Sequence, residues 1–62
     1  MSKTTVKWLD ANISGYEIST TIEGKQVVFV PKGFFDQAAK YFKRFNVRGE
    51  YRAHYTWMAF TL

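Results

Sequence analysis

The chain must build a stable core without any covalent cross-link. It has 62 residues and no cysteine, so neither a disulfide nor a thiolate zinc site can support the fold. A folded chain of this length removes only about 60% of its unfolded surface from water. Aromatic side chains can make up for the missing cross-links, because the chain has six Phe, four Tyr and two Trp and each ring can bury about 150–250 Å². Such rings fill a small core, line a dimer interface or remain exposed to stack on bases.

Length and composition restrict the class of protein. We expect one small domain spanning residues 1–62. No window approaches the roughly 18 apolar residues of a membrane span, and the N-terminus lacks the apolar segment of a signal peptide. The absence of cysteine suits a reducing compartment, so a cytoplasmic location is expected. A basic chain this short is typical of the small accessory products of phages and mobile elements.

The positive charge is concentrated in the second half of the chain. The formal net charge is +4. In residues 1–31 three lysines balance three acids, whereas in residues 32–62 six bases face only Asp36 and Glu50. A local basic field of this kind attracts polyanions such as nucleic acid or an acidic protein surface. The six bases are Lys32, Lys40, Lys43, Arg44, Arg48 and Arg52.

Alternation and turn signals predict three strands in the first half. Residues 4–9 alternate between apolar and polar side chains and predict a first strand. Residues 16–22 alternate again, and residues 26–30 form a β-branched, aromatic segment that Pro31 ends. Together these segments predict an antiparallel three-strand meander.

The second and third of these strands are expected to form a hairpin. A residue with positive φ is needed in the tight turn, and Gly24 supplies it. The two-residue loop is either Glu23-Gly24 or Gly24-Lys25. If it is Glu23-Gly24, Ile18 lies opposite Phe29 and Thr20 lies opposite Val27. The apolar faces of the two strands would then coincide.

The period changes after Pro31. Residues 33–45 have helical spacing, and Asn46 is a plausible left-handed stop. Residues 50–62 predict one long strand, whose segment Trp57–Leu62 is apolar on both sides. Such a segment is either central in a sheet or covered by a partner, which makes a homodimer through Trp57–Leu62 an alternative. The predicted apolar stripe of the helix comprises Phe35, Ala38, Ala39, Phe42 and Phe45.

The predicted fold class is therefore α+β. Its elements are a small antiparallel three-strand meander, one amphipathic helix and one long C-terminal strand, in the order β-β-β-α-β. A partial OB-like barrel is compatible with that order.

Three segments of the first half resemble cold-shock domains. The segment Val-Lys-Trp-Leu-Asp-Ala at residues 6–11 is similar to the Val-Lys-Trp-Phe-Asn-Ala start of that family. Ser-Gly-Tyr-Glu-Ile at residues 14–18 falls where the family carries Lys-Gly-Tyr-Gly-Phe, with one inserted residue. Val-Phe-Val-Pro at residues 28–31 falls where it carries Val-Phe-Val-His. The resemblance covers residues 4–31, and nothing matches beyond them.

The resemblance implies a five-stranded OB-type barrel that binds single-stranded RNA or DNA on an aromatic face. Trp8, Tyr16 and Phe29 would then stack on bases, and Lys7 would contact a phosphate. Three positions depart from the family, where a glycine, an aromatic residue and a histidine are replaced by Glu17, Ile18 and Pro31.

The basic residues in the second half of the chain predict a second nucleic-acid surface. Lys40, Lys43 and Arg44 are neighbours at helical spacing. Phosphate binding requires Arg48 and Arg52 to lie beside this helix, and it would depend steeply on salt. An ordinary solvated helix face is the alternative interpretation.

A catalytic role is not indicated. Glu50, Arg52 and His54 would share one face of the predicted last strand, which is the proximity that general acid–base chemistry needs. The polar side of any strand has the same pattern, and no phosphate-binding loop, nucleophile elbow or metal motif accompanies the one histidine. We therefore expect no enzymatic activity, cofactor or metal. The sequence predicts a small protein that binds single-stranded nucleic acid; the alternative is a phage- or mobile-element-type regulator or inhibitor that binds another protein.

Overall fold

A computed structural model describes residues 2–62 as two helices and one open four-stranded sheet. The elements are α1 (Lys3–Asn12), β1 (Glu17–Thr20), β2 (Gln26–Pro31), α2 (Phe35–Lys43), β3 (Gly49–Arg52) and β4 (Trp57–Thr61). Every strand pair is antiparallel, and the strands lie in the order β1-β2-β4-β3. The α+β class is confirmed, but the predicted β-β-β-α-β order is wrong.

The helix α1 occupies the segment predicted as the first strand. Ser2 caps it, because its Oγ accepts the backbone N–H of Thr5 at 3.2 Å. Thr5, Leu9 and Ile13 are spaced four apart and are all buried, while Trp8 packs beside them. This helical spacing and the cap outweigh the short alternation from which the strand was predicted.

The predicted hairpin forms between β1 and β2, with its register shifted by one residue. Ile18 does not lie opposite Phe29, and Thr20 does not lie opposite Val27. Because side chains alternate along a strand, this shift moves Phe29 to the face opposite Ile18. The observed pairs are Glu17 with Phe29, Ile18 with Val28, Ser19 with Val27 and Thr20 with Gln26.

A longer loop causes the register shift. Thr21 N–H donates to the carbonyl of Lys25 at 2.7 Å, which encloses three residues instead of the two predicted. Gly24 N–H donates to the Thr21 carbonyl at 2.9 Å, and Gly24 has a φ of +87°. A three-residue hairpin loop of this type combines a type I turn with a residue in the left-handed region.

The helix α2 confirms the predicted helical segment in a shorter form than residues 33–45. Its end is fixed by two backbone hydrogen bonds, from Val47 N–H to Phe42 O at 3.1 Å and from Asn46 N–H to Lys43 O at 3.0 Å. This is the Schellman arrangement, and Asn46 takes the left-handed conformation with a φ of +60°. The predicted stop at Asn46 is confirmed.

The core lies between the two helices and one face of the sheet. Phe42 stacks on Phe60 with ring centroids 4.6 Å apart, and Ala38 and Tyr41 are also buried. Phe45, predicted to lie in the buried stripe, is instead 53% exposed because α2 ends before it. The buried core cluster comprises Leu9, Ile13, Val28, Val30, Ala38, Tyr41, Phe42, Met58 and Phe60.

The predicted strand over residues 50–62 is wrong, because a turn divides it into β3 and β4. Three consecutive residues of this turn, Ala53, His54 and Tyr55, have φ values of +50°, +55° and +68°. Left-handed backbone costs roughly 1–2 kcal/mol for each residue other than glycine. Thr56 closes the turn, since its N–H and hydroxyl both donate to the Ala53 carbonyl, at 3.2 and 2.6 Å.

The two apolar sides of β4 follow from its central position between β2 and β3. Met58 and Phe60 point to the helices, whereas Trp57 and Ala59 point to the other side of the sheet, which we call the open face. Opposite Phe60 lies Gly49, where an added Cβ would approach Phe60 Cε1 to 2.8 Å. Within residues 2–62, no helix is long and apolar enough to cross a membrane.

Candidate nucleic-acid interface

The rings predicted to stack on bases do not share one surface. Trp8 lies on α1, half-buried, and stacks on Tyr41 with centroids 4.1 Å apart and planes 11° apart. Phe29 lies on the open face, because it alternates with the core residues Val28 and Val30. The sheet therefore separates the two rings.

Tyr16 precedes β1 and is held by α1. Its hydroxyl donates to a carboxylate oxygen of Asp10 at 2.5 Å. This hydrogen bond, helped by slight desolvation and by the negative charge of Asp10, raises the pKa of Tyr16 above its usual value. Lys7, the predicted phosphate contact, is exposed on α1. Tyr16 is thus half-buried and tied to an acid rather than free to stack.

Only part of the predicted basic surface is brought together, at the C-terminal end of α2. Lys43 and Arg48 line a cleft of about 370 Å³ together with Asn46 and Val47. They also line an adjoining cleft of about 330 Å³ with Ala39, Val47 and Gly49. Arg48 therefore lies beside the helix, whereas Arg52, the other base that the predicted phosphate binding required there, does not.

Two further basic residues lie close to Lys43 along α2. Lys40 is exposed one turn before Lys43. Arg44 places its guanidinium carbon 5.2 Å from the centroid of the Tyr41 ring, a cation–π contact. Next to it, the exposed Phe45 ring meets Tyr41 edge-on at 5.5 Å. The cluster therefore combines an exposed ring with neighbouring cations.

Arg52 and Lys32 lie elsewhere. Arg52 projects from the open face, where its Nη1 is 2.8 Å from Glu50 Oε2. Lys32 follows β2, and its backbone N–H donates to the Thr56 carbonyl at 3.1 Å, beside the β3–β4 turn. The six predicted bases therefore do not form one continuous patch.

Two exposed tyrosines were not among the predicted site residues. Tyr51 is 53% exposed and Tyr55 is 66% exposed, and their centroids are 4.9 Å apart. Tyr51 pairs with Met58 and so lies on the helix side of the edge strand β3, where it meets Phe35 edge-on at 5.7 Å. Both tyrosines lie in the segment predicted as one continuous strand, where Tyr51 and Tyr55 would share a side with Trp57, so nothing in the sequence indicated that they remain exposed.

The cleft beside Lys43 and Arg48 and the Phe35–Tyr51 contact both lie between α2 and β3. We call the strip of surface that joins them the α2–β3 groove; Tyr55 adjoins it through its contact with Tyr51. Phe35, Ala39 and Lys43 are four residues apart and so lie on one side of α2. Facing them are Tyr51 at one end and Arg48 at the other. The groove runs from an aromatic end to a basic end over about 12 Å of helix.

The basic end of the groove has no compensating acid. Among residues 2–62, the ion pairs are Lys25 with Glu23 at 3.9 Å and Arg52 with Glu50 at 2.8 Å. Both clefts beside Lys43 are lined without Asp or Glu. The end of α2 contributes only about half a negative charge, which Lys43 and Arg48 outweigh. An anion is therefore attracted to this end.

The constellation considered for acid–base catalysis does not form on one strand face. Glu50 and Arg52 lie on β3, but His54 lies in the turn with left-handed backbone. In the described part of the chain, no three His, Cys, Asp or Glu side chains are grouped so that they could hold a metal ion.

Comparisons with known proteins assign no family. No model of a known protein family matches the sequence, and no curated protein or solved structure matches it either. The cold-shock resemblance stays a prediction. The function must accordingly be inferred from the site itself.

Proposed function

We propose that this protein is a small, non-enzymatic binder of single-stranded nucleic acid and that the strand lies in the α2–β3 groove. Bases stack on Tyr51 and Tyr55, while Lys43 and Arg48 contact phosphates. Two observations support the proposal: the exposed Tyr51 and Tyr55 lie beside Phe35 at one end of α2, and Lys43 and Arg48 line a cleft at its other end without an ion-pair partner among the described residues. Stacking on a ring contributes about 1–3 kcal/mol per base, and cations along the backbone add a salt-dependent term.

A single strand suits this groove better than a duplex. Tyr51 and Tyr55 can stack only on bases that are themselves unstacked, and a duplex keeps its bases within the helix. The other basic side chains along α2, Lys40 and Arg44, raise the positive potential around the groove and favour encounter with the strand.

Fluorescence anisotropy of labelled oligonucleotides tests the proposal. Oligothymidylate and oligouridylate should bind at low salt, more tightly than a duplex of equal length, and the affinity should fall as salt rises. Unchanged anisotropy for every oligonucleotide at low salt would rule the proposal out. Equal affinity for the single strand and the duplex would show that bases do not stack on the tyrosines.

A second candidate function is binding to another protein, as a regulator or inhibitor. Ile22 is fully exposed at the tip of the β1–β2 hairpin, and Ile18 in β1 is 43% exposed. Large apolar side chains exposed on an edge hairpin favour contact with a protein surface. A defined partner that binds after nuclease treatment, and no longer binds Ile22→Ser, would support this function over the first.

A further inference from the structure

The open face carries a second concave site, separate from the α2–β3 groove. Its volume is about 210 Å³, and it is formed by residues from all four strands and from the β3–β4 turn. Its lining consists of Glu17, Phe29, Arg52, Ala53 and Trp57. We call it the open-face pocket.

The lining of the open-face pocket has a particular chemistry. Phe29 and Trp57 offer two partly exposed rings. Glu17 adds a carboxylate, which accepts hydrogen bonds, and Arg52 adds a guanidinium, which donates them. Arg52 is also paired with Glu50 at 2.8 Å, but a guanidinium has five N–H groups and retains donors for a ligand. Aromatic surface between one acceptor group and one donor group suits a flat ring with both donors and acceptors on its edges.

We propose that the open-face pocket binds a guanine base of the strand held in the α2–β3 groove. The Glu17 carboxylate accepts hydrogen bonds from the N1–H and N2–H₂ of guanine, while Arg52 donates to O6 and N7. The base stacks against Trp57 and Phe29. Adenine presents an amino group in place of O6, and pyrimidines lack N7, so neither satisfies both side chains.

The size and position of the pocket agree with a base from a longer strand. Small-molecule sites commonly enclose about 300–1,000 Å³, so this pocket suits a base with its sugar and phosphate outside. Tyr51 and Arg52 are consecutive in β3, with Tyr51 facing the groove and Arg52 facing the pocket. A strand that leaves the groove over this edge reaches the pocket beside Ala53. This inference rests on the proposed function.

Titration with mononucleotides tests the pocket without a strand. In nitrogen–proton correlation spectra, guanosine 5′-monophosphate should shift the indole N–H of Trp57 and leave that of Trp8 unchanged. The adenosine, cytidine and uridine monophosphates should cause much smaller shifts at equal concentration. Glu17→Gln should abolish the preference, whereas Glu23→Gln, at an exposed acid outside the pocket, should retain it.

Titration with strands separates this inference from the proposed function. Oligothymidylate with one central guanine should bind about fivefold or more tightly than oligothymidylate alone. Glu17→Gln should remove this gain and leave the affinity for oligothymidylate alone unchanged. If oligothymidylate binds but guanine brings no gain and the monophosphate no shift, the pocket is overturned while strand binding stands. If only the monophosphate binds, guanine recognition by the pocket stands, while strand binding, and with it the claim that the guanine belongs to a bound strand, is overturned.

The oligomeric state provides a further test of the pocket. Trp57 is available to a base only if a second copy does not cover the open face. Any rise in the mass measured by light scattering with concentration should therefore leave the Trp57 indole signal unchanged. A dimer whose formation shifts the Trp57 indole signal without nucleotide would overturn the pocket and favour the homodimer through Trp57–Leu62.

Discussion

The α2–β3 groove and the open-face pocket lie on opposite sides of the same edge strand, and they differ mainly in charge. Both offer rings, Tyr51 and Tyr55 in the groove and Phe29 and Trp57 in the pocket. The basic end of the groove has cationic side chains and no acidic one, whereas the pocket has one acidic side chain, Glu17, and one basic side chain, Arg52. A carboxylate repels phosphate, but it can accept hydrogen bonds from the edge of a nucleobase. The charges therefore distinguish a backbone contact from a base contact.

The same edge strand supplies both sites because side chains alternate along it. Tyr51 points to the helices and its neighbours Glu50 and Arg52 point to the open face. A small domain can thus use both sides of one strand without a second module.

The largest expected effect concerns the two sides of β4. Phe60 is fully buried, and Phe60→Ala should lower the free energy of unfolding by about 3–5 kcal/mol. Trp57 is partly exposed, so Trp57→Ala should cost only about 1–2 kcal/mol. Urea unfolding followed by circular dichroism measures both changes. Equal losses would mean that the open face is as well covered as the helix side.

The next effect concerns stacking in the groove. Tyr55→Ala should weaken oligonucleotide binding by about 1–3 kcal/mol, because one base loses its stacking partner. Tyr55→Phe keeps the ring and should bind nearly as the wild type does. Anisotropy titration measures both, with Tyr16→Phe as a control because Tyr16 hydrogen-bonds to Asp10 outside the groove. Equal affinities for Tyr55→Ala and wild type would exclude stacking at this ring.

A smaller effect concerns the phosphate contacts. Lys43→Ala and Arg48→Ala should each reduce the slope of log affinity against log salt by about 0.7, the value for one phosphate contact on a single strand. Lys25→Ala is the matched control, because Lys25 is paired with Glu23 on the β1–β2 loop. A slope that changes with Lys25 and not with Lys43 would place the strand at the hairpin tip instead.

The smallest effect concerns Tyr16, which belongs to neither site. Asp10→Asn removes the charged acceptor and should lower the pKa of Tyr16 toward its usual value near 10, as followed by its ring resonances. Because the pKa of Tyr16 is raised in the folded state, this hydrogen bond stabilises the fold at pH values below the usual tyrosine pKa. That stabilisation is lost as the pH rises through the folded-state pKa. An unchanged titration in Asp10→Asn would show that the hydrogen bond is not the cause.

Elements with strong local signals could be predicted from the sequence. Gly24 and Asn46 take the left-handed conformations expected of them, and they mark the hairpin and the end of α2. The helix α1 was missed because six alternating residues suggested a strand, while the evidence for a helix spans Ser2 to Ile13. The β3–β4 turn has no glycine or proline, so Ala53 gave no local sign of its left-handed backbone.

The candidate site was predictable in its charges and not in its rings. The excess of basic side chains between Lys32 and Arg52 follows from a count of the charged residues in the sequence. The structure brings two of them, Lys43 and Arg48, together. Which rings remain exposed depends on how the helices cover the sheet, a tertiary property. Trp8 and Tyr51 illustrate this, because the first stacks on Tyr41 and the second stays open to solvent.

Chemical-shift mapping of the backbone amides with oligothymidylate tests most directly whether the strand lies between α2 and β3. We predict that the largest shifts occur at Lys43, Arg48, Tyr51 and Tyr55, and that Lys7 and the hairpin tip at Ile22 change little. Shifts concentrated on α1 or at the hairpin tip, with residues 43–55 unchanged, would contradict this account.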